Sequence, residues 1–263
     1  MKNEQAFVLW LDMLGYKNWL SRQNNLKMAQ TQLLEALKVG FKETSNKGDF
    51  PVDDIDSLLI SDTIIIWSFK EDPEIIPMFV FIYHFLSCRL AKLGLPLRGT
   101  LSRGSLLVRK EVPHIIVGSA ILDCASIEPN LNAFVVAVHR SVIEYLNDCE
   151  QTKETLEIQG FFSNQEISMK KEMITMPVIG YHMPYVAETI LLSYKLLIDR
   201  LRTKDDLVFP ELKAFIPKFL NTANMIDTLM VGVDDRERVV ELWKVAIDHA
   251  QNMLKALNSN EAK

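Results

Sequence analysis

At 263 residues the chain is long enough for one large domain or for a domain with a sizeable extension. Its 48% apolar and 24% charged content is ordinary for a soluble globular protein. The net charge of −5 argues against a nucleic-acid backbone as the main partner, since that contact needs clustered Lys and Arg.

From the N-terminus, residues 6–12 read as a strand, apolar on both faces except for Asp12. Met1-Lys-Asn-Glu-Gln before it carries no secretory pattern. Gly15 permits a sharp turn or a close backbone approach. Helical spacing follows from Lys17 to about Glu43, with Leu33, Leu34, Leu37, Val39 and Phe41 among polar residues. Ser45-Asn-Lys-Gly-Asp reads as a loop.

Residues 55–69, rich in Ile, predict a second strand region, again interrupted by one carboxylate, Asp62. Glu71-Asp-Pro-Glu signals a helix start, and the helix is expected to run to about Leu93, with Gly94 as its stop. Its apolar stretch from Ile75 to Cys88 contains Pro77 and His84 and falls short of a membrane span, so no membrane is expected. His84 reads as a core or capping histidine.

Alternation predicts a third strand over residues 97–108 and a short apolar piece at 115–118. A helix from Ser119 to Ile127, a fourth strand from Phe134 to Val138 and a helix from Arg140 to Cys149 follow. Residues 151–180 are polar with short apolar pieces, and 183–203, 210–222 and 234–257 read as helices. In the last, Val239, Leu242, Val245, Ala246, His249 and Met253 lie at helical spacing. The alternation of strands and helices predicts a mixed α/β fold over residues 1–150, with a mostly helical extension over 151–263 packed on it. Cys88, Cys124 and Cys149 form neither a CxxC pair nor a zinc pattern and fit a reducing, cytoplasmic compartment.

Asp12 and Asp62 are the informative pair. A carboxylate inside a buried strand is costly to desolvate without a partner. Two on neighbouring strands repel by up to about 4 kcal/mol at 4 Å and an effective dielectric near 20. A hard divalent cation such as Mg²⁺ or Mn²⁺, which prefers oxygen ligands and nucleotide phosphates, turns that cost into a binding site. The plainer alternative is structural: Asp12 bonded to turn amides at residues 14–16, and Asp62 paired with Arg98 or Arg103. No Walker A, GxSxG or strand-to-helix GxGxxG motif is present.

Four motifs in order resemble the class III nucleotide cyclases. Asp12-Met-Leu-Gly15-Tyr16 resembles their first metal motif and Ile60-Ser61-Asp62 their second, where a glycine usually precedes the aspartate. Arg98-Gly99-Thr-Leu-Ser-Arg103-Gly104 resembles the next strand, and Gly118 to Glu128 the glycine-led helix with its closing glutamate. The resemblance covers residues 6–139 and is nearest to a divergent bacterial branch. It implies a ferredoxin-like core and a homodimer with a nucleoside triphosphate at the subunit interface. Asp12 and Asp62 would hold Mg²⁺ or Mn²⁺, with Gly15, Tyr16 and Ser61 against the nucleotide. The family's transition-state asparagine and arginine fall on Leu122 and Ser126, and its base-reading lysine on Leu58. Substitute cations are therefore required: Arg103 first, then Arg98, Arg109 and Lys110. Two functions follow: a cyclase using these other cations, or a degenerate cyclase-fold sensor or interaction module.

Overall fold

The structure is a computed structural model that describes residues 4–23, 26–45, 54–109, 115–150, 158–180, 186–194, 209–230 and 236–260. Its centre is β1 (Glu4–Met13), flanked on both sides by antiparallel strands. On one side lies the hairpin β2 (Asp56–Ile60) and β3 (Thr63–Ser68), with β3 against β1. On the other lies the long β4 (Leu97–Arg109). Beyond it the sheet continues through the parallel β6 (Val136–Val138) to a hairpin, β7 (Phe162–Ser168) and β8 (Met173–Ile179). The strand order is β2-β3-β1-β4-β6-β8-β7, and β5 (Ile115–Val117) pairs with the far end of β4. The predicted mixed α/β architecture is found.

Alternation along β1 sends Phe7, Leu9, Leu11 and Met13 to one face, where they join the main core. That face is covered by α2 (Leu26–Ser45) and α3 (Ile75–Lys92). Ala6 and Val8 point to the other face, with Ile65 and Trp67 of β3, and meet Ala120 and Cys124 of α4 (Ser119–Ile127). Asp12 has the same parity as Ala6 and Val8 and so belongs to the α4 face. Gly99 allows β1 and β4 to approach, because a Cβ there would lie 2.1 Å from the Trp10 carbonyl oxygen.

Several expectations are refined. The helix expected from residue 17 onward divides into α1 (Tyr16–Ser21) and α2. The strand expected over 55–69 is the β2–β3 hairpin, and Asp62 sits in its two-residue turn, not inside a strand. Helix α3 stops where Gly94 takes φ +80°. Among the described residues it is the one helix long and apolar enough to cross a membrane, yet most of it is buried in the core. His84 lies in that core, its Nε2 2.9 Å from the Gly180 carbonyl oxygen. All three cysteines are thiols.

The chain after residue 150 is more than helical, because β7 and β8 extend the same sheet. Helix α5 (Arg140–Asp148) precedes them, and helices α6 (186–194), α7 (Phe209–Asn224), α8 (Ile226–Leu229) and α9 (Arg236–Asn260) follow. Phe134, Tyr194, Phe215, Phe219 and Trp243 form one aromatic run that binds α6, α7 and α9 to the sheet. The buried face of α9 is Val239, Trp243, Ala246 and Ala250. Leu242 and Val245, read at helical spacing with Val239 and Ala246, are 43% and 62% exposed: the buried stripe turns toward Trp243, whose ring stacks on Phe219.

Candidate functional site

Asp12 is the penultimate residue of β1, and the chain turns just after the strand through Gly15, at φ +78°. Leu14 donates its N–H to the Pro96 carbonyl oxygen at 2.9 Å, fixing that turn against the start of β4. Next to it, Met13 donates its N–H to the carbonyl oxygen of Asp62 at 2.8 Å, which draws the hairpin turn alongside. Ser61 takes φ +58°, a left-handed conformation that a glycine enters without strain. Both carboxylates thus come to one end of the sheet, and the charge of Asp62 is felt by Asp12.

Register decides the third member. β1 and β4 pair so that Asp12 faces Arg98. The Arg98 Nη2 lies 3.6 Å from Asp12 Oδ2, and its Nε donates to Glu128 Oε1 at 2.5 Å. Its Nη1 donates to the Leu131 carbonyl oxygen at 2.8 Å. Only 11% of the Arg98 side chain is exposed, against 17% for Asp12 and 7% for Glu128. Arg98 therefore pairs with Asp12 and Glu128.

One guanidinium does not neutralise this end of the sheet. Asp12 is pushed from its ordinary 3.8 up to about 6, first by burial, then by the charge of Glu128, with Asp62 adding to it and Arg98 opposing. A hydrogen bond with Glu128 also favours the protonated form of Asp12. Asp12 and Asp62 supply oxygen donors of the kind a hard divalent cation prefers, with Arg98 as the cation already beside Asp12. Among the described residues no group of three or more His, Cys, Asp or Glu side chains has the arrangement of a complete metal cage. Mg²⁺ is bound through one or two carboxylates and keeps its waters, so Asp12 and Asp62 would be enough protein ligands.

The other sequence-derived residues separate. Gly15 is at the site and Tyr16 follows it, half-buried and stacked on Trp19 at 6.0 Å between ring centroids. Ser61 is exposed on the hairpin turn. Arg103 is not beside the carboxylates. It lies five positions along β4 from Arg98, so the two side chains take opposite faces. Its guanidinium sits 4.2 Å over the Tyr145 ring and donates to Glu71 Oε1 at 3.0 Å. Arg109 ends β4, and Lys110 lies outside the described residues. Leu122 is 71% exposed, and Ser126 donates its hydroxyl to the Asp123 carbonyl oxygen at 2.8 Å. His139 caps α5 through Ser141.

One residue was invisible to motif reasoning. Lys218 of α7 is half-buried near Arg98 and Asp12, and burial together with the Arg98 charge lowers its pKa. A lone lysine in an amphipathic helix carries no local signal of this placement.

No protein-family model matches the chain, and no curated protein matches it significantly. Among solved structures it is similar to the guanylyl cyclase domain of the RhoGC fusion protein from the aquatic fungus Blastocladiella emersonii. That match is 14% identical, covers 68% of this chain and 96% of that one, and has a TM-score of 0.43. The guanylate cyclase domain of RhGC from Catenaria anguillulae, solved with GTP, matches at 13% identity over 67% and 96% of the two chains, with a TM-score of 0.41. The catalytic core of a rhodopsin-guanylyl cyclase with converted specificity, solved with ATPalphaS, matches at 14% over 67% and 96%, with a TM-score of 0.40. At these TM-scores the matches lend no weight to any activity, ligand or assembly for this chain.

Proposed function

We propose that the chain is a nucleotide cyclase-like protein that converts a noncyclic nucleoside triphosphate into a cyclic mononucleotide and pyrophosphate. The reading is carried by the convergence of Asp12 and Asp62, 50 residues apart in sequence, at one end of the sheet, in the order of motifs that resembles class III cyclases. Asp12 and Asp62 would hold Mg²⁺ or Mn²⁺. When bound, the ion neutralises charge on the phosphate oxygens. Gly15, Tyr16 and Ser61 border the phosphates from the two turns. Arg98 balances the carboxylates and adds positive charge near the α-phosphate, where the ribose 3′-hydroxyl attacks in line and pyrophosphate leaves. The base is left open, since Leu58 stands at the position that resembles the base-reading lysine.

A cytoplasmic homodimer completes this reading. Trp10, Leu58 and Ile60 share the α4 face with Asp12, Ile60 is 52% exposed there, and Leu122 of α4 is exposed. Exposed large apolar side chains such as Ile60 and Leu122 favour a protein partner, and a second copy covering them would place the two sites in the interface. Light scattering is expected to give twice the chain mass for the wild type and the monomer mass for Leu122→Arg. A monomeric wild type at micromolar concentration would remove the dimer.

The degenerate sensor is favoured by one observation, the closure of Arg98 onto both Asp12 and Glu128 with Leu122 and Ser126 directed elsewhere. Incubation with ATP, GTP, CTP and UTP separately, with Mn²⁺ or with EDTA, distinguishes the two by mass spectrometry. The expected result is a Mn²⁺-dependent cyclic mononucleotide from one of them, absent from Asp62→Ala. No product from any triphosphate, with a Mn²⁺- and nucleotide-dependent thermal shift retained, selects the sensor.

A further inference from the structure

Helix α7 lies outside the segment that resembles a cyclase, yet it packs against the carboxylate end of the sheet. It is held there by Thr222, whose Oγ1 accepts the Phe134 N–H at 2.7 Å, and by Asn221, whose Nδ2 donates to the Asn132 carbonyl oxygen at 2.8 Å. Phe215 and Phe219 pack beside them in the aromatic run. The same helix carries Lys218, one turn before Thr222, into the wall of a cavity of about 230 Å³. Gly15, Asn18, Arg22 and Phe215 are also in that wall.

Three features identify the ligand chemistry. The cavity begins at the turn that follows Asp12, with Leu14 and Gly15 in its wall, while Asp12 and Asp62 themselves do not line it. Two side chains in its wall, Arg22 and Lys218, are cationic, and Asn18 adds an amide. Its volume is below the roughly 300 Å³ at which pockets for whole drug-sized ligands begin, so it accommodates one end of a nucleotide. Burial and the neighbouring Arg98 both disfavour the charged form of Lys218, and an anion in the cavity would reverse that penalty.

We propose that this cavity receives the terminal phosphates of the nucleoside triphosphate and that Lys218 of α7 is their charged contact. The proposal rests on the nucleotide reading of the Asp12 and Asp62 site. It assigns to the C-terminal region a part of the pocket, a cation supplied from a helix far along the chain where the resemblance leaves Ser126 in place of an arginine.

Calorimetry with inorganic pyrophosphate in EDTA tests it without the metal. The wild type is expected to bind, and Lys218→Gln to bind about tenfold more weakly or worse, the loss of one charge-assisted hydrogen bond. Lys218→Arg should retain most of the affinity, which a purely structural lysine would not require. Arg22→Gln, on an exposed side chain, provides a second variant and should weaken binding several-fold if Lys218→Gln does not fold. No pyrophosphate binding by the wild type, or equal affinity in wild type and Lys218→Gln, overturns the proposal. Binding that depends on Lys218 with no cyclic product from any triphosphate leaves the cavity assignment and removes the cyclase. Metal-dependent cyclisation that is indifferent to Lys218→Gln does the reverse.

Discussion

Asp12→Asn is expected to abolish Mn²⁺-dependent triphosphate turnover, by at least about a hundredfold, while making the protein more stable at pH 8. The two effects have one cause. Asp12 is held above its ordinary pKa by burial and by Glu128, so its ionised form is disfavoured in the fold. The rise from 3.8 to about 6 corresponds to about 3 kcal/mol at 1.36 kcal/mol per pH unit.

The sign follows from proton linkage. Between those two values the folded state holds a proton on Asp12 that the unfolded state has released. Its contribution is therefore fully present below about pH 3.8 and is lost as pH rises through about 6. The neutral amide has no such dependence. Urea melts at pH 8 should place Asp12→Asn above the wild type by up to about 3 kcal/mol, and the gap should close toward pH 4. Added Mn²⁺ should raise the melting temperature of the wild type and leave the variant unchanged. A variant that melts below the wild type at pH 8, or that still gains stability from Mn²⁺, would show that Asp12 is a structural partner of Arg98.

Arg98→Ala is expected to cost about 3–5 kcal/mol, because it leaves a buried carboxylate pair without its cation. Two hydrogen bonds, to Glu128 and to the Leu131 carbonyl oxygen, and the ion pair with Asp12 are lost at once. Arg98→Lys keeps the charge but not the forked geometry and should recover part of the loss. The cost should shrink at lower pH, where Asp12 takes up a proton and no longer needs a cation beside it. Urea denaturation at pH 5 and pH 8 reads both effects. A loss below about 1 kcal/mol, the range of an exposed ion pair, at both pH values would mean that Arg98 does not hold this site together.

These two variants act on neighbouring residues in opposite directions, which separates function from folding. Removing the carboxylate relieves the fold and stops the proposed chemistry. Removing the guanidinium weakens the fold whatever the chemistry.

Much of the local architecture was legible. Helix α4 lies on its predicted bounds, and β4 and α3 lie within a few residues of theirs. Their signals are short-range: the 3.6-residue or two-residue period of apolar side chains, and a glycine that ends a helix in the left-handed region. The β2–β3 turn was missed because apolar residues continue on both sides of Ser61-Asp62, so the hairpin reads as one strand. The β7–β8 hairpin was missed because β7 is an edge strand, whose Ser163, Asn164, Gln165 and Glu166 give no apolar run to detect.

By itself, the sequence determined most of the helices and the central strands, the two unusual carboxylates and the glycine turn beside the first of them. Each depends on a few consecutive residues and their side-chain period. Only the tertiary structure decided which cations serve them. Strand register set Arg98 opposite Asp12 and, by the alternation of side chains, sent Arg103 to the other face. Packing of α7 against the sheet brought Lys218 to the carboxylates across some 200 residues of chain. Register and helix docking are settled by the total fit of the core, so no window of sequence contains them.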